Sequence, residues 1–152
     1  MAKFFVAITE DSMASQIAFL INNHNRLYRF HNRDSLKRGT ADYFVEVYGD
    51  TVVGCAGVEC GISETKIKHV CVLPAFRQRG IAKKLVTTAM SNCMSSSYLM
   101  TIRADNVVSL QMAKSLRFFQ AGSRWHKDHY VITVRRQIHG EHQGRQGKVY
   151  CN

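Results

Sequence analysis

The chain has 152 residues, with 21 Lys and Arg against 11 Asp and Glu, a formal net charge of +10 at pH 7 and an apolar fraction of 45%. That is the size and composition of one ordinary domain with a real core. No apolar stretch approaches the roughly 20 residues that span a bilayer as a helix, and residues 1–7 have neither the apolar run nor the cleavage-site pattern of a secretion signal.

Residues 1–7 read as a first strand. Thr9 then caps a helix with Glu10 and Asp11 in its first turn and Met13, Ile17, Leu20 and Ile21 at helical spacing. Asn22-Asn23-His24-Asn25 ends it, and a short helix containing Ser35-Leu36-Lys37-Arg38 stops at Gly39. Strands follow at about 41–48, 51–59 and 65–73, the first two joined by Gly49-Asp50. A helix from Gly80 to about Met94 carries Ile81, Leu85, Val86, Ala89, Met90 and Cys93 on one face and Lys83, Lys84, Thr87 and Ser91 on the other. A strand at 98–103, a helix capped by Asp105 or Asn106, and strands near 118–124 and 129–136 complete a mixed α/β sheet. Residues 1–138 make one domain. The remainder, 139–152, is rich in Gly and basic residues, has little to bury, and reads as a flexible tail. The cysteines, Cys55, Cys60, Cys71, Cys93 and Cys151, are odd in number and lack metal-ligand spacing. They argue for a reducing, cytoplasmic compartment and against a disulfide framework, most of them reading as packing residues, with no metal site.

The most informative stretch is Val72-Leu73-Pro74-Ala75-Phe76-Arg77-Gln78-Arg79-Gly80-Ile81-Ala82, where an apolar strand ends in a basic, glycine-containing turn that opens into a helix. The first N–H groups of a helix have no intrahelical partner and the macrodipole is positive there, so such a turn is suited to phosphate. Arg77-x-x-Gly80-x-Ala82 after Val70-Cys71-Val72 resembles the acetyl-CoA pyrophosphate loop of the GCN5-related N-acetyltransferase (GNAT) superfamily. Gly54 after the Gly49-Asp50 turn, Asn106-Val107-Val108-Ser109 opening a helix, and Leu116-Arg117-Phe118 where the family usually has Leu-Gly-Phe extend the resemblance over roughly residues 3–136.

The resemblance implies a GNAT fold: a mixed sheet of six to seven strands flanked by about four helices and splayed at the strands ending near 73 and 103. It implies an acetyl-CoA-dependent N-acetyltransferase that passes the acetyl group directly to an amine. The pantetheine arm is expected along Cys71 and Val72, and the pyrophosphate over Gln78, Arg79, Gly80, Ile81, Ala82 and Lys83 with Arg77 beside it. Lys83 or Lys84 either reaches the ribose phosphate or is a solvated helix-start charge. Asn106 and Ser109 match positions that commonly touch the cofactor, or else serve as helix cap and surface polarity. The family's acid–base positions fall on Lys66, Lys68, Thr101 and Ala113, so the usual groups are missing. Alternation places His69 opposite Lys66 and Lys68, on the side of Ile67 and Cys71, as a packed residue. Tyr98, Tyr130 and Glu59 remain stand-ins, and no catalytic residue is assigned.

Charge points to the acceptor. The loop after the first helix carries His24, Arg26, Arg29, His31 and Arg33 with Tyr28 and Phe30 interleaved; the last strand turn carries Arg124, Trp125, His126, Lys127 and His129. The resemblance implies that these two segments line the acceptor cleft, so with Lys66 and Lys68 between them the cleft is expected to be positive, with Arg26, Tyr28, Arg29, Lys66, Lys68 and Trp125 as the acceptor-side candidates. The expected acceptor is anionic or carried on an anionic scaffold, nucleic acid being the leading case. The alternative is a GNAT-fold nucleic-acid-binding or base-modifying protein, or an acyl-CoA-binding regulator, without ordinary acetyl transfer. A monomer or a homodimer is equally compatible with the sequence.

Overall fold

The structure, a computed structural model, describes residues 11–27 and 29–138. The expected first strand, the Thr9 cap, Tyr28, Cys151 and the tail lie outside the described residues.

Helix α1 (Asp11–His24) buries Ala14, Ile17, Ala18, Leu20 and Ile21, the stripe its apolar spacing demands. Helix α2 (Arg33–Lys37) starts in a capping box: the Asn32 side chain accepts from the Ser35 N–H, and the Ser35 hydroxyl accepts from the Asn32 N–H. Arg33 and Lys37 both hold Asp11 and so tie α2 to α1. Strands β1 (Asp42–Tyr48), β2 (Thr51–Glu59) and β3 (Glu64–Val72) form a meander. Helix α3 (Ile81–Asn92) then crosses to β4 (Ser97–Arg103), and α4 (Val107–Ser115) leads to the hairpin of β5 (Phe119–His126) and β6 (His129–Gln137).

The six described strands lie in the order β1-β2-β3-β4-β6-β5, and only β3 and β4 run parallel. Helices α1 and α2 cover one face through a core that includes Ile17, Leu20, Leu36, Tyr43, Val45 and Cys55. The other face is covered by α3 and α4 through Phe44, Val58, Leu85, Val86, Ala113 and Phe118. Gly54 sets the height of α3 above β2: a Cβ there would stand 2.9 Å from the Ile81 Cγ2 and 3.3 Å from the Leu85 Cδ1. At the end of α4, Arg117 occupies a left-handed bend with φ 63°, and the Phe118 N–H closes the turn on the Ala113 carbonyl at 3.0 Å. The Leu-Gly-Phe bend therefore persists without its usual glycine.

The fold departs from the sequence expectation at two places. Cys60 and Cys93 are joined as a disulfide, with Cα atoms 5.5 Å apart, which corrects the expectation that the cysteines form no disulfide. The β2–β3 loop meets the C-cap of α3, a juxtaposition across 33 residues that cysteine counting does not reveal. Cys55 and Cys71 are buried free thiols. The second departure is a bulge in β3. Cys55 pairs with Cys71 but Gly57 pairs with Lys68, so His69 and Val70 together oppose Ala56, and His69 takes φ 54°. One extra residue reverses the alternation: Ile67 faces the α3 core, whereas Cys71 faces the α1 core.

Candidate active site

Pairing between β3 and β4 covers only Glu64–Ile67 against Ser97–Met100. Beyond it the strands separate, and a cleft of about 1090 Å³ opens between residues 68–72 and 100–103. The edges of separated strands carry backbone donors and acceptors that an amide-bearing ligand can satisfy.

At the end of β3 the chain makes a 3-10 turn, Pro74–Phe76, and then passes through two left-handed residues, Gln78 at φ 60° and Gly80 at φ 76°. Gly80 is the N-cap of α3 and no side chain caps the helix. The Lys84 N–H is the donor that closes on the Gly80 carbonyl, at 2.9 Å, so the amides before it face outward as an anion-binding concavity. A Cβ on Gly80 would meet no atom within 4 Å, so glycine is required there by the backbone conformation and not by crowding within the chain. Arg77 fixes the turn to the strand end by donating from Nε to the Val72 carbonyl at 3.0 Å.

Of the cofactor candidates, Cys71, Val72, Arg77, Gln78, Gly80, Ile81, Ala82, Lys83, Asn106 and Ser109 all line this cleft. Arg79 does not. Its guanidinium turns back to the Ala75 carbonyl at 3.1 Å and lies over the Phe76 ring, 5.1 Å from the centroid. Lys84 points instead to Glu46 on β1, at 3.2 Å. Asn106 caps α4 by accepting from the Ser109 N–H at 3.2 Å, so capping and a place on the cleft wall coexist in one residue.

On the acceptor side, Arg26, Lys66 and Lys68 line the cleft, whereas Arg29 and Trp125 do not. Trp125 packs edge-on against Tyr130 and donates to the Lys127 carbonyl at 2.8 Å, which holds it at the β5–β6 turn. Arg26 reaches across to Asp105 at 2.8 Å, and Asp105 also receives Arg103 at 3.2 Å; these two guanidinium groups hold its carboxyl below the usual range, Arg103 more strongly. Lys68 pairs with Glu59, and this bond keeps the carboxyl ionised. Arg26, Lys66, Lys68, Arg77, Lys83 and Arg103 all line the cleft, and no carboxylate does among the described residues.

The acid–base stand-ins separate clearly. Tyr98 is buried and donates to the Met90 and Cys93 carbonyls, Tyr130 lies beside Trp125, and Glu59 is held by Lys68 and Thr40. Ala113 is 1% exposed in the core, and Thr101 lines the cleft. His69 differs from its expectation: the bulge places it on the cleft wall, on the same side as Tyr43, whose hydroxyl meets its Nδ1 at 2.5 Å. The His31 ring stands 5.0 Å away. Desolvation, with His31 and Lys68 adding to it, lowers the His69 pKa to about 4, and burial raises that of Tyr43. Nothing in the residue pattern marks the bulge; the one compatible signal is that histidine is among the few side chains that accept a left-handed backbone.

The family model of the GNAT acetyltransferase domain matches residues 39–122, more than half of the chain. The chain belongs to the GNAT acetyltransferase family. Among solved structures it is similar to the ribosomal-protein-S18-alanine N-acetyltransferase of Escherichia coli, at 15% identity and a TM-score of 0.75, covering 93% of this chain and 98% of that one. It is also similar to YncA of Salmonella typhimurium, solved with its cofactor acetyl-CoA, at 15% identity, TM-score 0.73 and coverage of 92% and 96%. Arabidopsis thaliana NAA60, in complex with a bisubstrate analogue, aligns at 12% identity, TM-score 0.73 and coverage of 92% and 99%. No curated protein sequence matches the chain.

Proposed function

We propose that the protein is an acetyl-CoA-dependent N-acetyltransferase that passes the acetyl group directly to an amine held on an anionic molecule. The observation that carries the reading is the early end of β3–β4 pairing, directly beside an uncapped helix start with two left-handed residues. A pantetheine amide needs the first of these features and a pyrophosphate needs the second. Gln78, Gly80, Ile81, Ala82 and Lys83 would hold the pyrophosphate, and Cys71 and Val72 the pantetheine arm. When bound, the thioester supplies an activated acetyl carbon. The residues of this chain bring the amine to it and strip its proton, and proximity alone is worth on the order of 7–11 kcal/mol.

The acceptor is read from charge. A cleft lined by six Lys and Arg with no described carboxylate favours an amine borne by a nucleic acid or an acidic peptide over a polyamine. Trp125 and Arg29, away from the cleft, do not enter this reading.

Isothermal titration with acetyl-CoA tests the site, comparing the native chain with Gly80→Glu, which puts bulk and negative charge into the open space over the turn. Micromolar binding, about 8 kcal/mol, is expected from the native chain, with a loss of at least about 100-fold in the variant. No binding by the native chain overturns the reading. Thiol release measured over a panel of amine-bearing oligonucleotides, acidic peptides and polyamines then sorts acceptors. Salt-dependent nucleic-acid binding without thiol release from any acceptor would favour a binding module, the reading to which Lys66, Lys68, Thr101 and Ala113 at the family's acid–base positions lean.

A further inference from the structure

Among the described residues, His69 is the one left-handed residue inside a strand. Strain of this kind persists only where the surroundings over-determine it, and it gathers at working sites. Here it turns an imidazole out of the regular alternation, onto the cleft wall and against the hydroxyl of a buried tyrosine.

We propose that His69 is the base of acetyl transfer, its Nε2 taking the proton that the acceptor amine loses, with Tyr43 holding its ring in place. The proposal rests on the acetyltransferase reading above. Tyr43 engages Nδ1, which leaves Nε2 as the nitrogen with a free lone pair when Nδ1 carries the hydrogen. Burial keeps the Tyr43 phenol protonated throughout the neutral range, so it orients the ring and does not itself take a proton. His31 is half-buried and clamped by Asn22, which accepts from its backbone N–H at 2.9 Å and donates to its carbonyl at 2.5 Å.

The charged and titratable groups around His69 come from each neighbouring element. They are Tyr43 on β1, the Cys55 thiol and Glu59 on β2, Lys68 on β3 and His31 in the α1–α2 loop. Desolvation, with His31 and Lys68 adding to it and Glu59 opposing, keeps the imidazole neutral at pH 7. In the reaction the amine lone pair forms the C–N bond, and the C–S bond breaks with its electron pair going to sulfur. One N–H proton passes to Nε2, and the thiolate takes a proton from solvent. The N–H becomes acidic as the C–N bond forms, which lowers the basicity the ring must supply, and the ring then returns the proton to water.

Two measurements decide the proposal. Nitrogen NMR of histidine-labelled native protein at pH 7.5, with no nucleotide present, is expected to show His69 with hydrogen on Nδ1 and a bare Nε2; the opposite tautomer overturns the proposal. His69→Asn keeps a side chain that tolerates the left-handed bulge but cannot titrate. With the best acceptor of the panel, its thiol release should fall by on the order of 10²–10⁴-fold and recover partly with added imidazole. Its acetyl-CoA affinity should stay within about twofold of native, a split that loss of a general base produces and general damage does not. Native turnover in the variant, or a loss that tracks acetyl-CoA affinity and ignores imidazole, overturns the proposal. Failure of the native chain to bind acetyl-CoA is a different result and sinks the transferase reading itself.

Discussion

The two ends of the β3–β4 pair are built in opposite ways. At the closed end, Glu64–Ile67 pairs with Ser97–Met100, the Ser96 N–H reaches the Ile62 carbonyl, the Ser97 hydroxyl reaches the Ser63 carbonyl, and Arg135 holds Glu64. The Cys60–Cys93 bond lies beside this end. At the open end the strands part around a bulge, left-handed residues and uncapped amides. A parallel pair that separates halfway loses ladder hydrogen bonds, so its remaining half must be held firmly for the other half to stay available to a ligand. The comparison teaches that stability and binding are assigned to different ends of one strand pair, and each can be perturbed without the other.

The largest expected effect belongs to the closed end. The disulfide closes a loop of 33 residues, for which chain entropy gives about 3–4 kcal/mol. Cys60→Ser, or reduction of the native chain, should lower unfolding free energy by about that amount in urea while acetyl-CoA affinity stays within about twofold. An equal loss of binding would mean that the bond shapes the cleft and that the ends are not separable.

The next effect belongs to the open end and depends on pH. A His69 pKa of about 4 in the folded chain lies below its ordinary 6.5, so the unfolded chain binds more protons between these values. Stability is therefore fully present above about pH 6.5 and is lost as pH falls toward 4. Between pH 7 and pH 5 the loss is about 2 kcal/mol for this ring. The Glu59 carboxyl, held low by Lys68, contributes with the same sign but only below its ordinary 4.5, in a separate window. His31, whose pKa burial, Lys68 and Arg29 also lower, contributes with the same sign in the same window, so urea unfolding of His69→Asn should show the pH 7 to pH 5 loss smaller by about 2 kcal/mol and not abolished. A slope equal to native would assign it to other groups.

The two ends also differ in how far the residues announce them. The phosphate turn is legible because it is made of backbone: Pro74 ends the strand, Gly80 permits the left-handed cap, and an amphipathic helix follows at once. Such signals are local. Element order is legible for the same reason, from the α1 stripe to the Gly39 stop and the Gly49-Asp50 turn. The acceptor wall is made of side chains, whose directions depend on register, and a single inserted residue at His69 and Val70 reverses the alternation from which a packed His69 is expected. Arg79 departs from its expected place for a related reason: a motif gives the sequence position of a charge, while the Phe76 ring and the Ala75 carbonyl decide where the guanidinium rests. The Cys60–Cys93 bond depends on the crossover from β3 through α3, a non-local fact.

The smallest effect is expected from the bridge that crosses the open end. Arg26, just beyond α1, reaches Asp105, between β4 and α4, at 2.8 Å, with the side chains 65% and 52% exposed. An exposed ion pair of long side chains contributes little, because water screens it and ordering the side chains costs entropy. Arg103 remains on Asp105 at 3.2 Å when Arg26 is removed, so the carboxylate keeps a partner. Arg26→Ala should therefore shift the melting temperature by no more than about 1 °C and leave the acetyl-CoA dissociation constant within roughly twofold, since the pyrophosphate turn does not depend on it. Its effect should fall instead on the acceptor: an anionic amine loses one of the six cations lining the cleft, and its KM should rise by about threefold to tenfold at low salt and less at high salt. A tenfold loss of acetyl-CoA affinity in Arg26→Ala would show that the bridge, and not the bulged strand, holds the two walls at their working distance.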